Sequence, residues 1–205
     1  GADDYLTKPV HPVELVAHIK ALLSRRVSRQ PEKVIQAKQG FTIGVLGAKG
    51  GLGVSSTVLN LGIALGEKSG LSVVCVELLP GRGVWGLELG LADTQGLENI
   101  LRSKPGEITQ ELIEKNLVNT VFGVRLLLSS SMFSPVQMSE NMKKIGLLID
   151  GLSQISKIII LDLGVPNEET INEVIEKCDL IIVVTEPYPV SIEKTTQILA
   201  EISNY

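Results

Sequence analysis

Aromatic side chains are scarce in this chain: three Phe, three Tyr and one Trp, 3% of 205 residues. Proteins that grip single-stranded nucleic acid stack bases on aromatic faces, so that class is not expected. Positive charge is not in excess either. Lysine and arginine number 19 against 23 aspartates and glutamates, a formal net charge of −4. The basic cluster that stands out is "SRRVSR", residues 24–29. Sequence-independent DNA binding draws on a broad basic surface, so it is not expected here. There are two cysteines, Cys75 and Cys178, each in an apolar run and neither with metal-ligand spacing. They read as buried, reduced thiols of a cytoplasmic protein. His11 and His18 have no ligand companions and read as surface residues. No apolar run approaches the roughly 20 residues that span a bilayer, and no signal peptide stands before the first motif.

What the chain does have is apolar content, 44% of residues, and a regular alternation of strand and helix patterns from Phe41 onward. "FTIGVLG" (41–47) is a strand with no polar alternation, as in a sheet buried on both faces. Helix patterns follow at 55–67, 96–102, 108–117, 134–155, 167–178 and 191–202, the 134–155 helix opening with Ser134 and Pro135 at cap positions. Further strands are expected at 71–79, 123–129, 157–164 and 179–187. This order predicts an α/β fold with a mostly parallel, doubly wound sheet.

Before Phe41 the pattern differs. "GADDYLTKPV" is followed by an amphipathic helix with Val13, Val16, Ala17, Ile19, Leu22 and Leu23 largely on one face and Arg25 and Arg26 in its last turn. One strand and one helix cannot bury a core alone. Residues 29–40, "RQPEKVIQAKQG", read as a linker punctuated by Pro31 and Gly40. The expected division is therefore 1–28, 29–40 and 41–205, the last truncated at its C-terminus.

The chemistry concentrates at "GAKGGLGVSS" (47–56), between a buried strand and a helix. Glycines let successive backbone N–H groups converge, and the helix N-terminus adds positive potential, so the segment suits a phosphate. Asp162 ends the strand "KIIILD", where a carboxylate can approach such a loop. Trp85, in "GRGVWGLELG", reads as a packing residue of the following loop.

Two resemblances add to this. "GADDYLTKP" resembles the end of a response-regulator receiver domain, with Lys8 and Pro9 matching its Lys-Pro pair; the phosphoacceptor aspartate is not in the chain, so a receiver remnant is implied. Residues 41–205 resemble the MinD/ParA group of P-loop ATPases, whose loop reads Lys-Gly-Gly-x-Gly-Lys-Ser/Thr. That resemblance implies ATP and Mg2+ as cofactors. It implies a nucleotide site of Lys49, Gly50, Gly51, Leu52, Gly53, Val54, Ser55, Ser56 and Asp162, with Ser55 and Asp162 as magnesium ligands. Lys49 matches the signature lysine that reaches a partner subunit's nucleotide, so a homodimer through the nucleotide face is implied. The departures fall on the chemistry: Val54 stands where the second lysine belongs. Leu79 stands where the second aspartate of Asp-x-Asp positions the attacking water, and leucine can neither polarise nor deprotonate water. Lys49 and Glu77 are left as the catalytic candidates.

Taken together, the receiver-like segment and the degenerate loop resemble the CpaE/TadZ proteins of Flp/Tad type IV pilus assembly. That implies an ATP-responsive localisation factor with weak or absent hydrolysis, in the cytoplasm at a cell pole or peripheral to the inner membrane, with pilus-assembly partners. An active ParA-like partitioning ATPase and a phosphorelay response regulator are the alternatives. No DNA-binding helix-turn-helix and no membrane-associating segment is visible in the chain.

Overall fold

A computed structural model describes residues 40–92, 94–132, 141–166 and 174–203, together with Val13, Val16 and Ala17. The chain divides into two compact units, Gly1–Lys38 and Gln39–Tyr205. In the first unit the three described residues are helical, within the expected amphipathic helix. Lys8, Pro9, His11, His18 and residues 29–39 lie outside the described residues, as do the expected cap at Ser134 and Pro135 and most of the helix expected at 167–178.

The second unit is a six-stranded sheet. Its strands are β1 (Phe41–Gly47), β2 (Val73–Glu77), β3 (Val118–Asn119), β4 (Arg125–Leu127), β5 (Ile158–Asp162) and β6 (Leu180–Val184). Their spatial order is β3-β4-β2-β5-β1-β6. All neighbours pair in parallel except β3, which runs antiparallel to β4. Sequence periodicity does not reveal β3: two residues, one of them exposed, carry no alternation to read. The central strands β2 and β5 are buried at every position, which explains their unbroken Val/Ile/Leu runs.

Helices cover both faces: α1 (Val54–Ser69), α2 (Trp85–Glu88), α3 (Gly96–Arg102), α4 (Gln110–Lys115), α5 (Met142–Ile155) and α6 (Pro189–Ile202). Alternation along the strands sorts the core into two layers. Val74, Val76, Ile159 and Leu161 join Leu97 and Ile100 of α3, Ile113 of α4, and Met142, Ile145, Leu148 and Leu152 of α5. On the opposite face α1 lies on the sheet, with Val54, Val58, Leu61, Gly62 and Leu65 as its buried stripe. It is bounded by Gly53 and Gly70, both left-handed, and the Gly70 N–H donates to Gly66 O as a C-terminal cap. Trp85 is fully buried, as a packing residue should be. Cys75 is buried and its thiol is pushed up to about 12 by desolvation, so it stays an unreactive thiol. Cys178, expected to be buried, is only half-buried, in the turn before β6.

Gly62 allows α1 to approach the sheet. A Cβ there would run into Cys75 Sγ, with Ile160 Cδ1 and Val73 Cγ1 close behind. Replacing an interior helix glycine by alanine normally stabilises by roughly 0.5–1 kcal/mol, but overpacking a filled core costs about 1–3 kcal/mol. Gly62→Ala is therefore expected to lower the unfolding free energy by about 1–2 kcal/mol in urea titration. Adding Cys75→Ala should recover part of that loss. A Gly62→Ala variant more stable than its parent would contradict the close approach.

Candidate phosphate-binding site

The site forms at the carboxyl ends of β1, β2, β5 and β6, on the side that α1 covers. Cys75 and Ile160 face α1, so two residues on, Glu77 and Asp162 leave their strands on the same face. They are register partners, and Asp162 is level with Val45 of β1.

The loop between β1 and α1 turns through Gly51 at φ 80° and Gly53 at φ 81°, a left-handed region that side-chain-bearing residues avoid. A Cβ at Gly50, Gly51 or Gly53 would meet no heavy atom within 4 Å, so the space beside the loop is open. The first helical hydrogen bond of α1 runs from Thr57 N–H to Gly53 O (2.9 Å). The amides of Val54, Ser55 and Ser56 thus point out of the helix end. That first turn holds no acidic residue and no side-chain cap, so its positive potential is not neutralised from within the helix. Ser55 and Ser56 lie at this end, while Leu52 and Val54 turn inward and are buried. The Val54 side chain occupies the space beside Gly47: its Cγ2 lies 2.8 Å from where a Gly47 Cβ would stand.

Asp162 is fully buried. Its Oδ1 accepts from the Gly164 N–H at 2.9 Å. The Ser55 hydroxyl lies near enough to favour the ionised carboxylate, yet no hydrogen bond of good geometry reaches Oδ2, which has no partner. Desolvation outweighs these contacts and holds the carboxyl above its ordinary range. A buried oxygen left in this state fits a hard cation. Ser55 and Asp162 are the two oxygen-bearing side chains here that could hold a divalent cation such as Mg2+.

Glu77 and Lys49 are placed differently. Glu77 is fully buried, and its Oε1 accepts from the N–H groups of Val84 (2.6 Å) and Trp85 (3.0 Å), its Oε2 from Ser129 N–H (3.0 Å). Desolvation raises its pKa, the three amides oppose that, and Asp162 adds a smaller upward push. In this geometry Glu77 holds the 78–85 loop from beneath. Leu79 lies in that loop, packed against Gly164 with its Cδ2 2.9 Å from the position of a Cβ there. Lys49 forms an ion pair with Glu186, just beyond β6.

Glu98 and Glu186 take part without having stood out in the sequence. Glu98 of α3 is buried: its Oε1 accepts from Gly81 N–H (3.0 Å) and Ser129 Oγ (2.8 Å), and both its oxygens face Ser130 N–H (3.1 Å). Its faint signal was a carboxylate three residues before Leu101, on the edge of an apolar helix face. Glu186 had none, since "VTEP" reads as a strand end.

No protein-family model matches the chain. Among curated proteins it is similar to the regulatory protein VanR of Enterococcus faecium, 33% identical over an alignment of 135 residues, with 60% of this chain and 57% of VanR covered. The chain thus spans little more than half the length of that relative. Solved structures match the fold more fully. A ParA family ATPase from Chlorobium tepidum TLS superposes with a TM-score of 0.70 at 23% identity, over 82% of this chain and 69% of that one. The septum site-determining protein MinD of Pyrococcus horikoshii OT3, solved in complex with Mg-ADP, gives 0.60 at 22% identity, over 80% and 65%. The chain has the α/β fold of the ParA/MinD-type P-loop ATPases. Tyrosine kinase domains share it, so the fold alone does not define the reaction.

The raised pKa of Asp162 has a measurable consequence. Its protonated form is favoured in the folded chain, so its contribution to stability is intact below the unfolded value and is lost as pH rises through the folded one. Asp162→Asn keeps an acceptor for the Gly164 amide and removes the buried charge. Without metal or nucleotide it should raise the melting temperature near neutral pH by about 2–4 °C, corresponding to roughly 1 kcal/mol. The gain should shrink as pH falls toward the ordinary aspartate value. A gain that does not change with pH would count against a desolvated carboxylate.

Proposed function

We propose that this chain is a magnesium-dependent ATP-binding regulator or localisation scaffold of the MinD/ParA type, with weak or absent ATP hydrolysis. The observation that carries the proposal is a division within one site. The means of holding a phosphate are present: the open glycine loop, the outward amides of Val54–Ser56, and the unpartnered Asp162 Oδ2 beside Ser55. The positions that would drive hydrolysis are apolar: Val54 is packed inward and Leu79 is packed on Gly164.

In this reading the amides of residues 50–55 bind the phosphates, Ser55 and Asp162 hold Mg2+, and Glu77 positions the loop that carries Leu79. The bound cation would neutralise charge on the phosphate oxygens. Phosphoryl transfer depends on such neutralisation and on a positioned water. Losing one transition-state donor typically costs about 10²–10³ in rate.

The cellular role rests on sequence resemblance. The receiver-like residues 1–28, with Lys8 and Pro9, followed by "GGLGVSS", support a place among the CpaE/TadZ proteins of Flp/Tad pilus assembly. The corresponding partners are a second copy through the nucleotide face and pilus-assembly proteins. The corresponding location is cytoplasmic, at a pole or against the inner membrane. No helix among the described residues is long and apolar enough to cross a membrane.

Calorimetry should detect ATP binding that requires Mg2+, while phosphate release stays at or near background. Val54→Lys should raise ATP affinity more than turnover, because Leu79 still cannot orient water. Turnover should rise further in Val54→Lys with Leu79→Asp. Absence of Mg2+-dependent nucleotide binding would overturn the proposal. Parent turnover matching ordinary ATPases of this fold would show that Val54 and Leu79 were misjudged.

A further inference from the structure

Lys49 is the lysine of the "GAKGGLGVSS" loop, and its charge is already in use. The sheet explains why. β1 and β6 run in parallel with Gly47 level with Val184, and the Ala48 N–H donates to Val184 O at 3.5 Å. Two residues past that last pair, Lys49 and Glu186 leave the sheet side by side, and their ion pair follows from register.

Glu186 is organised independently of the lysine. Its Oε1 accepts from Ser191 Oγ at 2.8 Å, and its own carbonyl accepts from Tyr188 N–H at 2.8 Å. Ser191 is fully buried in the first turn of α6, where the positive helix end favours a carboxylate. Thr195 Oγ1 donates to Ser191 O (2.7 Å), tying that turn to the next. The carboxylate is therefore anchored to the scaffold. Lys49 stands on a loop whose glycines have open space around them. Among the described residues the Lys49 side chain has no second partner of this kind.

We propose that Glu186 is an internal latch on Lys49. It pairs with the loop's cation and competes with anionic phosphate for it, so that phosphate binding and release of Lys49 from Glu186 are one event. This rests on the phosphate-site reading above and adds a residue and a gate to it. The exposures suit a reversible device: the lysine side chain is 40% exposed and the glutamate 27%. Pairs this open to solvent couple weakly, by a factor of about two to five, which a polyphosphate can overcome. Releasing the lysine also frees a cation at the subunit surface, where a second copy could take it up.

The test uses Glu186→Gln, which keeps an acceptor for Ser191 and removes the charge. Two readouts are needed. Cleavage by trypsin after Lys49 reports the pair without nucleotide, since trypsin must take the lysine side chain; it should quicken about two- to fivefold in Glu186→Gln. Affinity for MgATP should rise by a similar factor, and that gain should vanish when Lys49→Ala is combined with Glu186→Gln. Asp150→Asn is the control, because it breaks the separate Lys177–Asp150 pair and should alter neither readout. Unchanged cleavage after Lys49 in Glu186→Gln overturns the latch, whatever the nucleotide data show. Faster cleavage with no MgATP binding by any variant overturns the competition and the nucleotide reading together. Faster cleavage with unchanged MgATP affinity leaves that reading standing and overturns the gate.

Discussion

Parallel pairing places β1 between β5 and β6 and sets Val45 level with Asp162, Gly47 level with Val184, and Glu77 level with Asp162. The site depends on this register. Side chains alternate along a strand, so a slip of one residue would turn Asp162 and Glu77 away from α1 and send apolar neighbours to the site. Burial on both faces makes such a slip costly, because it would move every buried Val, Ile and Leu of β2 and β5 to the wrong layer. The core therefore specifies the position of the chemistry without contributing any polar atom to it.

Three buried carboxylates show how that edge is used. Taking a carboxylate out of water costs several kcal/mol unless hydrogen bonds replace the lost hydration. Glu77 receives three backbone N–H groups, and Glu98 receives two and a serine hydroxyl. Glu77 ties the 78–85 loop and the chain after β4 to the sheet, and Glu98 ties the same two segments to α3. Asp162 is treated differently, since Oδ1 is satisfied and Oδ2 is not. The same chemical group thus serves as loop anchor twice and as an unsatisfied oxygen once, beside the helix end that favours anions.

Binding by backbone and catalysis by side chain respond differently to substitution. Amide N–H groups in a glycine loop keep their direction when a neighbouring side chain changes, so the loop geometry coexists with Val54. A lysine that neutralises phosphate, or an aspartate that holds water, has no backbone substitute. In the proposed reading the loop, Ser55 and Asp162 are the binding elements, while Val54 and Leu79 are side chains used in packing.

By itself the sequence determined the fold class and the course of most strands and helices, and it singled out the loop for which phosphate binding is proposed. Those features are written in hydrophobic period and in glycines required at positive φ, which are local properties. It also marked Asp162, through the resemblance of "KIIILDLG" to the family's metal-side strand together with the glycine loop. It did not determine partners. β3 is too short to carry a period, Glu98 stands in an ordinary helix, and nothing local marks the three amide donors of Glu77. Those donors lie 7, 8 and 52 residues away in the chain. The pairing of Lys49 with Glu186 spans 137 positions and exists only because β1 and β6 are neighbours in the sheet. Which charges meet was decided by strand order, a long-range property that no local pattern of residues encodes.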